Sequence, residues 1–347
     1  VETKEQIQGW AEVLACPRCR GDVAVHSDVH CKNCGRVGRQ PGAQLCDFGG
    51  NRSEEAATVA AWPEELVRGL PAWADALAAG QAPSVAAYAE LVRRHGLVGP
   101  DGALTPLGLT ARYHLDEFRW QKGRKGLDGV LDLAAIGPRV RALDVGCGAG
   151  QTLRRLEPDR PVELFGADLD MAALALAARL ARLEGVDLAL VGARATALPF
   201  RPAAFDLVLT RVALNYMHQH TALAEMVRVL RPGGFLFCRV EALWHDLSML
   251  RPLPPPKALV CRLRDLGWGT FHALTGWQPT PGGSWRGGRC FATASRLGRI
   301  LSGLGCRTVR ATESPNGPVA FGHRSQLIVV AQRRQSGKRA SLPGCIS

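Results

Sequence analysis

The alternation of apolar and polar positions changes period along this chain, and each change marks an element. Residues 53–125 carry apolar side chains at helical spacing, Ala57, Ala60, Ala61, Leu66 and Leu70 being the clearest set. Pro63, Pro71, Pro83 and Pro100 divide that stretch into short helices. Within it, Leu97-Val98-Gly99-Pro100-Asp101-Gly102-Ala103-Leu104-Thr105 sets a Pro-Asp-Gly turn between apolar flanks, the pattern of a small hairpin or wing. From about residue 125, short apolar runs alternate with helical ones. The runs at 140–145, 162–167, 188–191, 205–210 and 235–240 predict strands, with helices over 152–156, 171–183 and 221–230 between them. Such alternation predicts a mostly parallel sheet covered by helices on both faces. Two further strands, 306–311 and 326–331, are joined by a loop without a helix, so one of them should run antiparallel.

The chain thus divides into a loop-rich module at 12–48, a helical linker or cap at 53–125, an α/β domain at 126–332 with an insertion at 241–290, and a basic tail at 333–347. With 347 residues, 46% of them hydrophobic, there is material for about two domains and a sizeable core. No eighteen-residue apolar run occurs and the first ten residues are polar, so a soluble cytoplasmic protein with no membrane partner is expected. The formal charge of +12 is unevenly placed. Residues 1–47 hold six basic and six acidic side chains, 241–310 hold ten and three, and the tail adds Arg333, Arg334, Lys338 and Arg339. A one-sided excess suits an acidic small molecule or a nucleic acid, or serves solubility alone.

The strongest chemical signal is Leu143-Asp144-Val145-Gly146-Cys147-Gly148-Ala149-Gly150, which follows a strand and opens a helix. Glycines there let the chain turn sharply and let a ligand approach the main chain. Gln151 stands where a dinucleotide fingerprint needs its third glycine. Asp144 would repel a pyrophosphate but suits an ammonium group. Asp168, 22 residues beyond Gly146, ends the second strand where a carboxylate can accept hydrogen bonds from ribose hydroxyls.

Together with Gly166-Ala167-Asp168, Ala197-Leu198-Pro199-Phe200, Ala204-Phe205-Asp206-Leu207-Val208 and Leu230-Arg231-Pro232-Gly233-Gly234, the glycine segment resembles class I S-adenosylmethionine-dependent methyltransferases of the ubiquinone/menaquinone-biosynthesis-like, type 11 group. The resemblance implies an α/β, Rossmann-like seven-stranded sheet and S-adenosyl-L-methionine as methyl donor. It implies Asp144, Gly146, Cys147, Gly148 and Gly150 along the methionine side, Asp168 on the ribose, and Leu169 and Ala195 at the adenine. The family often reads Gly-Asp-Ala where this chain reads Ala193-Arg194-Ala195, and Arg194 cannot accept a bond from the adenine amino group. Methyl transfer is an in-line displacement that depends chiefly on positioning. A hydroxyl acceptor would also use a base, for which Tyr216, His218 and His220 are candidates beside Asn215, with Tyr113 and His114 as caps.

Cys16-Pro17-Arg18-Cys19 and Cys31-Lys32-Asn33-Cys34 form two close cysteine pairs, each followed by a glycine. Two-residue gaps let both sulfurs of a turn reach one ion, and four thiolates close a tetrahedral structural zinc site. A rubredoxin-like iron centre uses the same ligands, and His26 or His30 could replace one of them. The module resembles zinc ribbons that precede some bacterial methyltransferase domains, including ribosomal RNA guanine methyltransferases.

The insertion holds Trp244, Trp268, Trp277 and Trp285 among arginines. It should lie over the carboxyl ends of the strands, as a lid on an aromatic or anionic small-molecule acceptor, methylated at oxygen or nitrogen in secondary or cofactor metabolism. The tryptophans could instead fill the lid's own core. RNA, with unpaired bases stacked on the aromatics, is a second reading, although a ribbon of zero net charge argues against a phosphate grip. A non-catalytic zinc-ribbon scaffold is a third.

Overall fold

The structure is a computed structural model, and it describes residues 12–25, 28–42, 44–82, 88–121, 136–137, 139–156, 162–278, 289–315 and 317–335. Among the described residues, the N-terminal module holds four strands, β1 (Val23–Val25), β2 (Asp28–Cys31), β3 (Gly35–Gly42) and β4 (Leu45–Asp47). Helices α1 (Ser53–Ala60), α2 (Glu64–Ala78), α3 (Ala89–Arg94) and α4 (Pro106–Gln121) follow among the described residues. Pro71 does not end a helix as expected but lies inside α2. A helical proline costs about 3 kcal/mol. The buried stripe Leu66, Leu70, Trp73 and Leu77 outweighs that by packing into the core.

The turn at Pro100 is a minimal hairpin, with Val98 bridged to Leu104 and Gly99 N donating to Ala103 O at 2.8 Å. It packs closely on α4, where a Cβ at Gly108 would stand 2.0 Å from the Leu97 carbonyl oxygen. Leu107, Ala111 and Leu115 bury one stripe of α4. The other side of that helix carries Tyr113, His114 and Glu117.

The α/β region then runs β5 (Val140–Val145), β6 (Val162–Asp168), α5 (Met171–Glu184), β7 (Leu188–Gly192), β8 (Phe205–Arg211), α6 (Gln219–Val229) and β9 (Leu230–Glu241). It continues with α7 (Leu243–Ser248), α8 (Pro256–Thr275), α9 (Ala294–Gly303), β10 (Cys306–Glu313), β11 (Val319–Ala320), β12 (His323–Arg324) and β13 (Gln326–Arg333). The expected helix at 152–156 is a single 3-10 turn, Leu153–Arg155. Helix α5 is capped by the Asp170 carboxylate, which accepts from Ala172 N and Ala173 N, and it ends at left-handed Gly185. Residues 171–177 of α5 are buried on all sides because α1 lies across its outer face.

The main sheet has the order β1-β2-β3-β4-β7-β6-β5-β8-β9-β13-β10 among the described residues. Strands β7, β6, β5, β8 and β9 are parallel, while β13 is antiparallel to both β9 and β10. The fold is thus Rossmann-like α/β with strands beyond the seven of the methyltransferase pattern. The extra four are those of the N-terminal module. Its β4 pairs in parallel with β7, Leu45 facing Leu190 and Asp47 facing Gly192, so the cysteine module continues the central sheet. An edge strand with unpaired main-chain groups is thereby covered.

Candidate active site

Strand β5 delivers a glycine loop whose conformation only glycine adopts cheaply. Gly146, Gly148 and Gly150 have φ of +79°, +54° and +69°. The loop is tied back by Gly146 N and Cys147 N, which both donate to Ala167 O, at 2.7 and 3.2 Å. Cys147 lines the cavity, yet its sulfur also turns under β6, where a Cβ on Gly166 would stand 2.7 Å from it. Asp168 joins the two strand ends: its carboxylate accepts from Gly148 N at 2.8 Å and Asp170 N at 2.9 Å. Burial still raises the Asp168 carboxyl above its usual range.

Asp144 is 2% exposed, and its Oδ1 is buried with no hydrogen-bond partner. Burial pushes its carboxyl up to about 8, against the nearby Arg211 cation and with the nearby Asp168 charge. A buried carboxylate oxygen without a donor, beside a glycine cradle, fits a cationic ligand group. The cavity here is about 170 Å³ and is walled by Asp144, Gly146, Gly148, Asp168, Tyr113 and His114 among others. A second cavity of about 410 Å³ lies across Tyr113 and His114, against Asp168 and Asp170. The His114 ring leans on the loop, since a Cβ at Gly148 would meet it at 2.4 Å. Burial lowers the His114 imidazole to about 4.

Leu169 and Ala195 are half-buried at the ends of β6 and β7, joined there by Ala193 N donating to Asp168 O at 2.8 Å. Arg194 is exposed, so its side chain turns to solvent. Tyr216 is 61% exposed and walls both the loop cavity and a third cavity of about 320 Å³ under α8. His218 instead caps α6, its Nδ1 accepting from Thr221 N at 3.4 Å and facing Thr221 Oγ1 at 2.8 Å. His220 is exposed in the first turn of α6, and neither histidine lines these cavities. Asn215 is wholly buried and pins two segments, donating to Glu241 O and Cys290 O at 2.9 and 3.0 Å.

Sequence reasoning missed Glu117, Arg211, Arg239 and Gln326, which line the loop cavity. Arg239 carried a signal, being a charge within the apolar run 235–240, and it is buried with Nε 3.0 Å from Gln326 Oε1. Beside the third cavity, Arg289 pairs with Glu241 at 2.5 Å and with Asp246. Trp268, Phe271 and Trp277 pack on one another, and Trp244 stacks on His323 at 4.2 Å. Trp285 lies outside the described residues.

In the N-terminal module the sulfurs of Cys16, Cys19, Cys31 and Cys34 lie within 4.8 Å of one another. Arg18 N and Asn33 N point at Cys16 Sγ and Cys31 Sγ, at 3.4 and 3.3 Å. The Gly21 N–H is the main cause lowering the Cys19 thiol to about 6. Four convergent sulfurs suit a closed tetrahedral metal site. His30 is exposed outside the cluster, and His26 lies outside the described residues.

An open parallel sheet with a glycine loop after one strand and a carboxylate at the end of its neighbour is the architecture of nucleotide-cofactor proteins. Comparison narrows this: residues 143–238 match the family model described as a methyltransferase domain. The chain is 35% identical to the demethylmenaquinone methyltransferase of Thermus thermophilus over 143 residues, 41% of this chain and 57% of that protein. It is 32% identical to a ubiquinone/menaquinone biosynthesis C-methyltransferase of Laribacter hongkongensis, over 39% of this chain and 60% of that one. The chain therefore spans less than two thirds of either relative. A Burkholderia thailandensis 1,6-didemethyltoxoflavin-N1-methyltransferase structure is similar with a TM-score of 0.42 and 21% identity, covering 66% of this chain and 86% of that one. No helix of the described residues is long and apolar enough to cross a membrane.

Proposed function

We propose that this chain is an S-adenosylmethionine-dependent methyltransferase acting on a small-molecule acceptor, with a structural zinc ion in its four-cysteine module. The carrying observation is the orphaned, buried Asp144 carboxylate oxygen beside three left-handed glycines and Asp168. S-Adenosylmethionine, when bound, supplies a methyl group made electrophilic by its sulfonium. Asp144 and the main chain of Gly146, Cys147, Gly148 and Gly150 would hold the methionine end, Asp168 the ribose hydroxyls, and Leu169 and Ala195 the adenine faces. Arg194 offers the adenine no acceptor, so main-chain groups and apolar contact carry that recognition. Tyr113 and His114 close over the site, and His114, neutral at pH 7, adds no charge against a cationic donor.

Tyr216, which walls both the loop cavity and the cavity under α8, is the candidate for orienting the acceptor. With Arg262, Asp265 and Arg289 also lining it, that cavity suits a polar aromatic or anionic acceptor. Relatives named for quinone precursors support a small molecule over RNA. Titration calorimetry with S-adenosylhomocysteine tests the reading: binding is expected in the wild type and much weaker binding in Asp168→Ala. A wild-type protein that gives no heat would overturn it.

A further inference from the structure

The cysteine module grips the adenine end of the proposed donor site from two directions. At its entry, Leu14 bridges to Phe200, Ala15 N donates to Pro199 O at 3.0 Å, and Arg201 N donates to Val13 O at 2.7 Å. Directly after Cys19, Arg20 takes a left-handed backbone, φ +65°. Its guanidinium reaches across to donate to Leu198 O at 2.8 Å and Glu225 Oε1 at 2.9 Å. The other Glu225 oxygen accepts Leu198 N at 2.9 Å. Arg228 completes the cluster, donating to Leu198 O at 3.0 Å, to Phe200 O at 2.7 Å and to both Glu225 oxygens, so Arg20 adds the module's own cation to a bracket around Leu198. At the module's exit, Phe48 N donates to Gly192 O at 2.8 Å and Asn51 N to Leu169 O at 2.7 Å. Arg52 then pairs with Asp170 at 2.7 Å. The gripped stretches, 168–171 and 192–200, are the two between which the adenine is proposed to lie.

We infer that the four-cysteine ribbon is a positioning device for the methyl donor. Arg20, set by the Cys16–Cys19 turn, braces the adenine-side wall beside Arg228, and donor affinity follows the occupancy of the cysteine cluster. The physical reason is geometric. A left-handed arginine is unfavourable by itself, and the ligated turn holds it. Without that turn, the Arg20 guanidinium no longer has a fixed reach to Leu198 and Glu225. This chain offers the adenine no side-chain acceptor at position 194, so recognition there depends on how firmly the main chain is held. The inference rests on the donor reading above.

The test uses the full chain, with zinc content by atomic absorption, fold by circular dichroism and S-adenosylhomocysteine affinity by calorimetry well below the melting temperature. Arg20→Ala should keep one zinc per chain and the wild-type spectrum yet bind about tenfold more weakly, the scale of one lost charge-assisted contact. Arg20→Lys should recover part of the loss, because an ammonium can serve Glu225 without spanning to Leu198. Stripping zinc with a chelator should weaken binding at least as much, and restoring zinc should reverse it. A folded, zinc-loaded Arg20→Ala protein with wild-type affinity overturns the inference, and if stripping unfolds the chain that comparison alone decides. Absence of binding by the zinc-loaded wild type overturns the donor reading itself, and the ribbon inference with it.

Discussion

Replacing Asp144 by asparagine is the sharpest probe of the site, because the expected sign runs against ordinary acid behaviour. In the unfolded chain this carboxyl ionises near 3.8, and in the folded protein burial holds it protonated to about 8. Between those values the folded state carries a proton that the unfolded state has released. Stability therefore falls as pH rises through that window and levels off above the folded value. At 1.36 kcal/mol per unit, the loss attributable to Asp144 between pH 5 and pH 8 is about 4 kcal/mol. Asp144→Asn is nearly isosteric and cannot ionise, so its stability should be flatter by that amount over the same range, and higher than wild type at pH 8. Urea denaturation of both proteins from pH 5 to pH 8 measures it. A cationic donor also favours the ionised carboxylate, so binding at pH 7 should release up to about 0.9 proton, read from calorimetry in buffers of different ionisation enthalpy. Parallel pH profiles of the two proteins, or no proton release on binding, would refute the assignment of Asp144 as the buried counter-charge.

Asp168→Ala removes the acceptor of both Gly148 N and Asp170 N, so S-adenosylhomocysteine should bind some thirtyfold or more weakly, about 2 kcal/mol or above, by calorimetry. Gly108→Ala drives a methyl group against the Leu97 carbonyl, so thermal or urea denaturation should show a loss of about 2–3 kcal/mol. Because α4 carries His114 over the glycine loop, donor affinity should fall with it. His218→Ala should cost only the α6 cap, about 1 kcal/mol of stability, with donor affinity unchanged. Tyr216→Phe should leave donor affinity alike but alter turnover once an acceptor is found, measured as methylated product by mass spectrometry.

Much of the architecture was legible in the residues because period and punctuation are local. The apolar runs at 140–145, 162–167 and 205–210 are strands at those places, and the loop-joined final pair does contain an antiparallel strand. The glycine loop and Asp168 were visible for the same reason: a left-handed turn needs glycine, and a carboxylate ending a strand needs only its place in the chain. The pair Cys16–Cys19 and the pair Cys31–Cys34 announced their convergence by spacing, which is again local. Pro71 was misread because the burial that retains it belongs to partners distant in sequence. His218 sits at the right distance from the fourth strand to suggest chemistry, and only the direction of its ring toward Thr221 makes it a cap.

What composition, spacing and periodicity determined by themselves was a parallel α/β sheet, a cradle between two acids, and four thiols able to meet. Tertiary structure decided that β4 joins the edge of that sheet and that α4 lays His114 on the cradle. It also decided that Arg239 and Glu117 enter the cavity and that Arg20 spans from the cysteine turn to Leu198 and Glu225. Those contacts join residues up to 205 positions apart, and no local rule constrains which partner a side chain meets across such a distance.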